Sequence, residues 1–403
     1  MSPEISNTKK SISNIDNVSV LGAGYMGSAV TFPLSDNNIN VNLWGTWLDE
    51  NIISSAKSGI HPKLKTKLAK NVKLFYWQDL LKAIENSNIF FIGIASEGFV
   101  NIFQMLIDNL KKFETRKSNN KNNYLRDHYF FKLTKGLVDY KGTIMRASEA
   151  AKLIYQEQFP DKNFYFTTIG GPVRAIDLAN RIPSATVYGI DKKVLACVQP
   201  IIDRFATDYY RIFISSYPEV VETCSTFKNI YAISAGICDG IYGKTKPGLY
   251  HNLVSFLFTQ ASIEIASICK FLFKEKIQIE NIEKIVFNFA GIGDLHVTSV
   301  AGRNRKFGEL IGQGYKGEEA FKKMFDEGEY GEGYMALKLG LPWLEKKLNE
   351  KLSKEKNSNI NKNKNYVYNN FIKREFPLLY MLYDVIFKDK DLKESLRQLI
   401  KNI

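Results

Sequence analysis

A carboxylate, a hydroxyl and two guanidinium groups fall within the thirteen residues Gly293–Arg305 (GDLHVTSVAGRNR). Asp294, Thr298, Arg303 and Arg305 supply them, with the amide of Asn304 between the two arginines, and apolar segments that read as helices lie on either side. Guanidinium forks and amide donors suit a phosphate or a carboxylate, because planar donors match its oxygens two at a time. A charged helix start on a solvated face has the same composition, so the block alone leaves both readings open. A second candidate is Lys228-Asn229, which interrupts the apolar helical pattern of Cys224–Asp239. Lysine at such a position usually snorkels to solvent. A desolvated lysine is a good proton donor instead, because burial lowers its pKa toward neutrality.

Chemistry of this kind needs a scaffold, and the N-terminal half provides one. Val18–Leu21 reads as a short buried strand, followed at once by Gly22-Ala23-Gly24-Tyr25-Met26-Gly27. Ser28–Ser35 continues as a helix with Pro33 at a kink or near its end, and Val41–Trp44 reads as a second strand. Gly-x-Gly-x-x-Gly is a weak signal alone. In the order strand, turn, helix, strand it predicts a dinucleotide site. The first glycine permits the tight turn, the second lets backbone approach a pyrophosphate, and the third lets helix and strand pack closely. Gly22, Gly24, Tyr25, Met26 and Gly27 are the candidate contacts, with the helix N-terminus facing the phosphates. At the end of the second strand stands Gly45-Thr46-Trp47, neither acid nor arginine, with Asp49 and Glu50 slightly beyond. Thr46 can bond either cofactor; NAD is the expectation, with NADP not excluded.

Ile89–Ile94 is a continuous apolar strand that ends at Ala95-Ser96, where a nicotinamide cofactor commonly lies. Tyr129–Leu133 leads into Thr134-Lys135-Gly136, and Phe164–Thr168 precedes Gly170-Gly171-Pro172. Thr186–Tyr188 and Tyr210–Ile214 read as short edge strands. Strands alternate with helical stretches to about residue 215, and the pattern is helical afterwards. The expected architecture is α/β: a Rossmann-type, doubly wound, mainly parallel sheet over residues 1–215, then an all-α domain over 216–403.

The net charge of +13 would suit a polyanion partner, yet six of those charges lie in two Lys/Asn-rich stretches, 115–124 and 352–366. Such stretches read as solvated loops inserted into ordered domains, with no aromatic interleaving for base stacking. No specific nucleic-acid partner is expected. Four scattered cysteines form no Cys-x-x-Cys pair, which favours neither zinc nor a disulfide framework; no metal is expected, and a reducing compartment is. No apolar run suggests a membrane span, and the polar start lacks a signal peptide's apolar core. The sequence therefore reads as a cytoplasmic protein.

Over nearly the whole chain the sequence resembles the NAD(P)-dependent sn-glycerol-3-phosphate dehydrogenase family. The motifs that carry the resemblance are GAGYMG, TKGL at Thr134–Leu137, GGP at Gly170–Pro172 and FKNIYAISAGICDG at Phe227–Gly240. GIGDLHVTSVAGRNRKFGELIGQG at Gly291–Gly314, GEGYMA at Gly331–Ala336 and FPLLYMLYDVIF at Phe376–Phe387 complete them. The resemblance implies interconversion of dihydroxyacetone phosphate and sn-glycerol 3-phosphate. Lys228 would be the general acid/base, Lys135 the second lysine at the reacting centre, and Asp294 the carboxylate steering the charge of Lys228. Asn229 and Thr298 would bond the substrate; Arg303 and Asn304 would hold its phosphate. Glu332, with Ser96, Lys135 and Arg303, would contact the cofactor, and Arg305 would be structural. The chain departs from the family at Ala95, at Val173–Ile176, near Gln260 where an arginine is common, and at His296 where an aliphatic residue is usual. A phosphorylated small molecule is the expected partner and a homodimer the expected assembly. A hydroxy-acid or ketopantoate-type dehydrogenase, and a non-catalytic cofactor sensor or nucleic-acid binder, are the competing readings.

Overall fold

The structure is a computed structural model, describing residues 15, 17–118, 127–355 and 372–403. It divides into two compact units, one up to Glu222 and one from Thr223 onward. The division falls inside the helix Pro218–Tyr242, whereas the sequence expectation placed it at 215/216, where the last strand ends.

Among the described residues of the first unit ten strands form: β1 (Asn17–Leu21), β2 (Asn40–Trp44), β3 (Val72–Phe75), β4 (Ile89–Ile92), β5 (Tyr129–Lys132), β6 (Leu137–Tyr140), β7 (Thr143–Arg146), β8 (Tyr165–Gly170), β9 (Ser184–Ile190) and β10 (Tyr210–Ser215). Eight of them build one sheet in the order β3-β2-β1-β4-β5-β8-β9-β10; β6 and β7 make a separate hairpin. From β3 to β8 every pairing is parallel. Strand side chains alternate between faces. Phe91 and Phe131 accordingly stack at 4.9 Å in the core of one face, while Phe90 and Phe130 stack in that of the other. Burial on both faces is why β4 reads as an uninterrupted apolar run and β5 as one broken only by Lys132.

One strand expectation and one loop expectation are corrected. β9 is a full strand inside the sheet, antiparallel to β8, so of the two strands expected at an edge β10 alone lies there. The register of β9 against β8 is a long-range choice that Thr186–Tyr188 does not encode locally. The polar stretches also begin as structure rather than loop: residues 115–118 end the helix Ser96–Ser118, and 352–355 end the helix Glu332–Glu355. Their remainders lie outside the described residues.

The second unit is helical. Helix His251–Phe273 is long and apolar enough to cross a membrane by length and composition, although half its apolar window is packed inside the unit. Its main helix pair is brought together by glycine. A Cβ at Gly236 would lie 1.9 Å from the Arg305 carbonyl oxygen, and one at Gly308 would lie 2.0 Å from that of Ile233. Helices Pro218–Tyr242 and Arg303–Gly312 therefore meet backbone to backbone, a distance only glycine allows.

Candidate active site

The first unit gathers its candidate residues at the carboxyl ends of parallel strands. Gly22–Gly27 follows β1, Thr46 follows β2, Ser96 follows β4 and Lys135 follows β5. The chain order reverses between β1 and β4, where doubly wound sheets hold their ligands. Gly22 has φ +105, and a Cβ there would strike the Gly93 carbonyl at 2.5 Å. A Cβ on Gly27 would lie 2.0 Å from the Gly22 carbonyl oxygen. At Gly24 a Cβ would meet no other described residue within 4 Å, its chain neighbours aside. The second glycine thus opens onto free space at the start of helix Tyr25–Asp36, whose first turn carries no acid. A pyrophosphate fits there: backbone can approach it, and the positive end of the helix faces it. Met26 and Lys135 line one cleft together with Gly170, Gly171 and Thr186.

Sequence reasoning passed over the acid that organises this loop. Asp49 Oδ2 accepts hydrogen bonds from Ala23 N (3.3 Å), Thr46 N (3.0 Å) and Thr46 Oγ1 (2.9 Å). Its carboxylate joins the glycine turn to the end of β2. The signal available was its place three residues after Thr46, at the start of a short helix.

In the second unit the candidates form two hydrogen-bonded groups, adjacent through the neighbouring residues Lys228 and Asn229. Lys228 is 2% exposed and does not snorkel, because its helix is buried on every side around it. Its ammonium donates to the carboxylate of Asp294, which is fully buried, and to Thr298 Oγ1 at 3.1 Å. Thr298 in turn donates to the Asp294 carbonyl at 2.7 Å, so its hydroxyl is oriented to accept from the lysine. Asp294 opens helix Asp294–Val300 after a wide turn over Phe289–Gly293, where a Cβ on Gly291 would lie 2.0 Å from the Val286 carbonyl oxygen. Removing either charge of such a buried pair costs about 3–5 kcal/mol, because the other is left uncompensated.

One residue along, Asn229 donates to Glu332 Oε2 at 3.2 Å and accepts from Asn304 Nδ2 at 3.0 Å. Asn304 Oδ1 accepts from Gly333 N at 2.8 Å. A Cβ on Gly333 would lie 2.4 Å from the Asn229 carbonyl oxygen, so this glycine lets helix Glu332–Glu355 close on the site. Arg303 donates to Glu332 Oε1 at 2.8 Å and is about a third exposed. It opens its helix directly after Gly302, whose φ of +123 needs glycine, and that first turn carries no acid. A guanidinium at a helix N-terminus is a phosphate-binding arrangement.

Two members of the original block stand apart. Arg305 forks onto Asp239 (Nη2 to Oδ1, 2.9 Å) and donates to the Ser299 and Val300 carbonyls, a structural clamp. His296 is exposed, its ring edge against Phe258. Gln260, near another departure from the family, donates to the fully buried Glu264 at 2.9 Å. Glu264 also accepts from Tyr231 Oη, Leu378 N and Leu379 N, and burial pushes its carboxyl up to about 7 despite these bonds.

Comparison with known proteins agrees with both halves. The NAD-dependent glycerol-3-phosphate dehydrogenase N-terminus model matches residues 17–196, and the C-terminus model of the same family matches 219–397. The NADP(+)-dependent glycerol-3-phosphate dehydrogenase of Archaeoglobus fulgidus is 29% identical over 308 residues, covering 76% of this chain and 83% of that protein. The glycerol-3-phosphate dehydrogenase [NAD(P)+] of Carboxydothermus hydrogenoformans is 28% identical, covering 76% and 81%. In fold, the chain is similar to the solved glycerol-3-phosphate dehydrogenase of Coxiella burnetii, with a TM-score of 0.68 at 20% identity over 96% of this chain and 99% of that one. With both halves matched, this chain belongs to the NAD-dependent glycerol-3-phosphate dehydrogenase family.

Proposed function

We propose that this chain interconverts dihydroxyacetone phosphate and sn-glycerol 3-phosphate, with Lys228 as general acid/base and Arg303 as the phosphate anchor. The observation that carries the reading is the buried Lys228 ammonium, held by Asp294 and Thr298, one residue from the Asn229–Asn304–Glu332–Arg303 network. When bound, NAD(P)H supplies a hydride to the C2 carbonyl carbon. Lys228 gives a proton to the oxygen as it becomes an alkoxide, and in the reverse direction removes it from the hydroxyl. Asp294 and Thr298 hold the ammonium in place. Lys135 adds positive charge at the same oxygen. Arg303 and Asn304 bind the phosphate away from the chemistry, and that binding energy orients the ketone. Gly22, Gly24, Tyr25, Met26, Gly27, Thr46, Ser96 and Glu332 are assigned to the cofactor, with Lys135 and Arg303 contacting it as well.

Asp49 is assigned to cofactor choice. A 2′-phosphate near the end of β2 would face its carboxylate, which favours NAD over NADP. Four free cysteines support a cytoplasmic setting, and a homodimer is the assembly to check by sedimentation.

The deciding experiment incubates purified protein with dihydroxyacetone phosphate and either NADH or NADPH, following nicotinamide absorbance. Turnover of the phosphorylated ketone, faster with NADH, is expected. Turnover of a phosphate-free keto acid instead would move the chain to the hydroxy-acid dehydrogenases.

A further inference from the structure

Beneath the Lys135 turn lies a buried charge cluster that the reaction as described does not use. Lys132, the last residue of β5, has a side chain only 1% exposed, and its ammonium lies 3.2 Å from Glu222 Oε1. Glu222 is equally buried and also accepts from Ser148 N (3.1 Å) and from the Ser148 hydroxyl, at the start of helix Ala147–Gln158. Burial pulls the Lys132 pKa down, while the Glu222 charge and hydrogen bond pull it back up. The same ammonium donates a second bond, at 2.7 Å, to the carbonyl oxygen of Thr134.

That second bond sets this pair apart from a fold-stabilising one. A buried ion pair kept for stability is replaceable by apolar groups of the same shape. The bond to Thr134 is not, because it restrains the peptide immediately before Lys135. The rest of the turn is held as well: Thr134 Oγ1 donates to the Ile94 carbonyl at 2.7 Å and Thr134 N donates to the Ile92 carbonyl at 3.1 Å, while Gly136 takes the φ of +98 that favours glycine. Among these holds, the Thr134 carbonyl depends on Lys132.

We infer that Lys132, charge-balanced by Glu222, is a positioning residue that pins the Thr134–Gly136 turn and so fixes where Lys135 points. Its catalytic consequence rests on the assignment of Lys135 to the reacting centre; its structural consequence does not.

The test uses the full chain carrying Lys132→Met, and Lys132→Met/Glu222→Gln, which removes both charges should the single variant fail to fold. Hydrogen exchange of amides 133–137 is expected to quicken about tenfold or more in the variant that folds, with the rest of β5 unchanged. Turnover of dihydroxyacetone phosphate should fall about tenfold to a hundredfold at nearly constant KM, the scale of a slightly misplaced catalytic group. In a Lys135→Ala background, Lys132→Met should lower turnover no further. Unchanged exchange in the turn overturns the pinning. A turnover loss that adds to that of Lys135→Ala overturns the link to Lys135. Full turnover by Lys135→Ala alone strikes instead at the catalytic reading of Lys135, and the exchange result still decides whether Lys132 pins the turn.

Discussion

At Gly24 the first unit offers bare backbone: a Cβ would meet no other described residue within 4 Å, its chain neighbours aside, and the adjoining helix turn holds no acid. At Lys228 the second unit offers the reverse, a charged side chain 2% exposed and bonded to a fully buried carboxylate. One surface is made by omitting side chains, the other by packing charged ones. An omitted side chain is sensitive to added volume and indifferent to pH. A packed charge is sensitive to the loss of its partner and to protonation. The two units should therefore fail under different substitutions.

The largest break is expected on the charged side. Lys228→Ala removes the proton donor, and general acid–base catalysis contributes about 10²–10⁴-fold. Turnover should fall by that range while NADH binding, read by fluorescence titration, stays within about twofold. A loss of NADH affinity as large as the loss of turnover would place Lys228 in the cofactor site.

Titration sharpens the contrast next, because each unit buries one group that responds to pH in the opposite sense. Glu264, in the second unit, titrates near 7 in the native protein against an ordinary 4.5. The native state keeps a proton that the unfolded chain has released. Stability is full below about 4.5 and falls by about 3 kcal/mol as pH rises to about 7. His128, in the first unit, is buried and its pKa is depressed from 6.5 to about 3. There the unfolded chain holds the extra proton, so stability is full above about 6.5 and falls as pH drops toward 3. Urea unfolding of the wild type and Glu264→Gln across pH 4–8, roughly the window these values set, isolates the first effect. The gap between the two curves should change between about 4.5 and 7. Parallel curves would show that Glu264 is ionised throughout.

Much of this division was legible in the residues, and what was missed has physical causes. The glycine turn was readable because its sterics are local: Gly22 and Gly27 exclude a Cβ through atoms close by in the chain or on the next strand. Lys228, Asn229, Asp294 and Arg303 were readable as types through the family resemblance, but the two hydrogen-bonded groups they form are not in their spacing. Both depend on Gly236, Gly308 and Gly333 bringing helices into backbone contact, and pattern reading sees these only as weak helix formers. Strand β3 was missed because Val72–Phe75 is short and only partly buried, so no alternation stands out. The β6–β7 hairpin was missed although Lys141-Gly142 takes positive φ at both positions, since lysine there lacks the asparagine or aspartate signature of such a turn. Lys132 and Glu222 look like ordinary charged residues in sequence; only β5 beside the start of helix Pro218–Tyr242 makes them a pair.

A smaller effect than either tests the phosphate anchor. Arg303→Ala removes charge-assisted hydrogen bonds of about 1.5–3 kcal/mol, or about 10–100-fold in KM for dihydroxyacetone phosphate. The effect should appear mainly in the KM for dihydroxyacetone phosphate, with a smaller rise in the KM for NADH, which Arg303 is also assigned to contact. Because Arg303 also bonds Glu332 at 2.8 Å, Glu332→Gln should leave the phosphate affinity intact, which separates loss of the anchor from loss of the pair. An unchanged KM in Arg303→Ala would remove it from the phosphate site.

The mildest substitution makes the cleanest comparison. Gly24→Ala adds one methyl to a residue whose φ of −70 any amino acid adopts, in space that holds no other described residue within 4 Å, its chain neighbours aside. Nothing in the ligand-free protein has to move, so its melting temperature should stay within about a degree. The methyl would project into the space assigned to the pyrophosphate, and NADH affinity should weaken about tenfold. Gly27→Ala, whose Cβ would lie 2.0 Å from a carbonyl oxygen, should instead lower the melting temperature without any ligand present. A backbone cradle requires that pairing of results: silence in the empty protein at Gly24, and damage to the fold at Gly27. If Gly24→Ala binds NADH as the wild type does, the open space beside it is not where the cofactor lies, and the contrast between backbone and side-chain recognition fails on its first side.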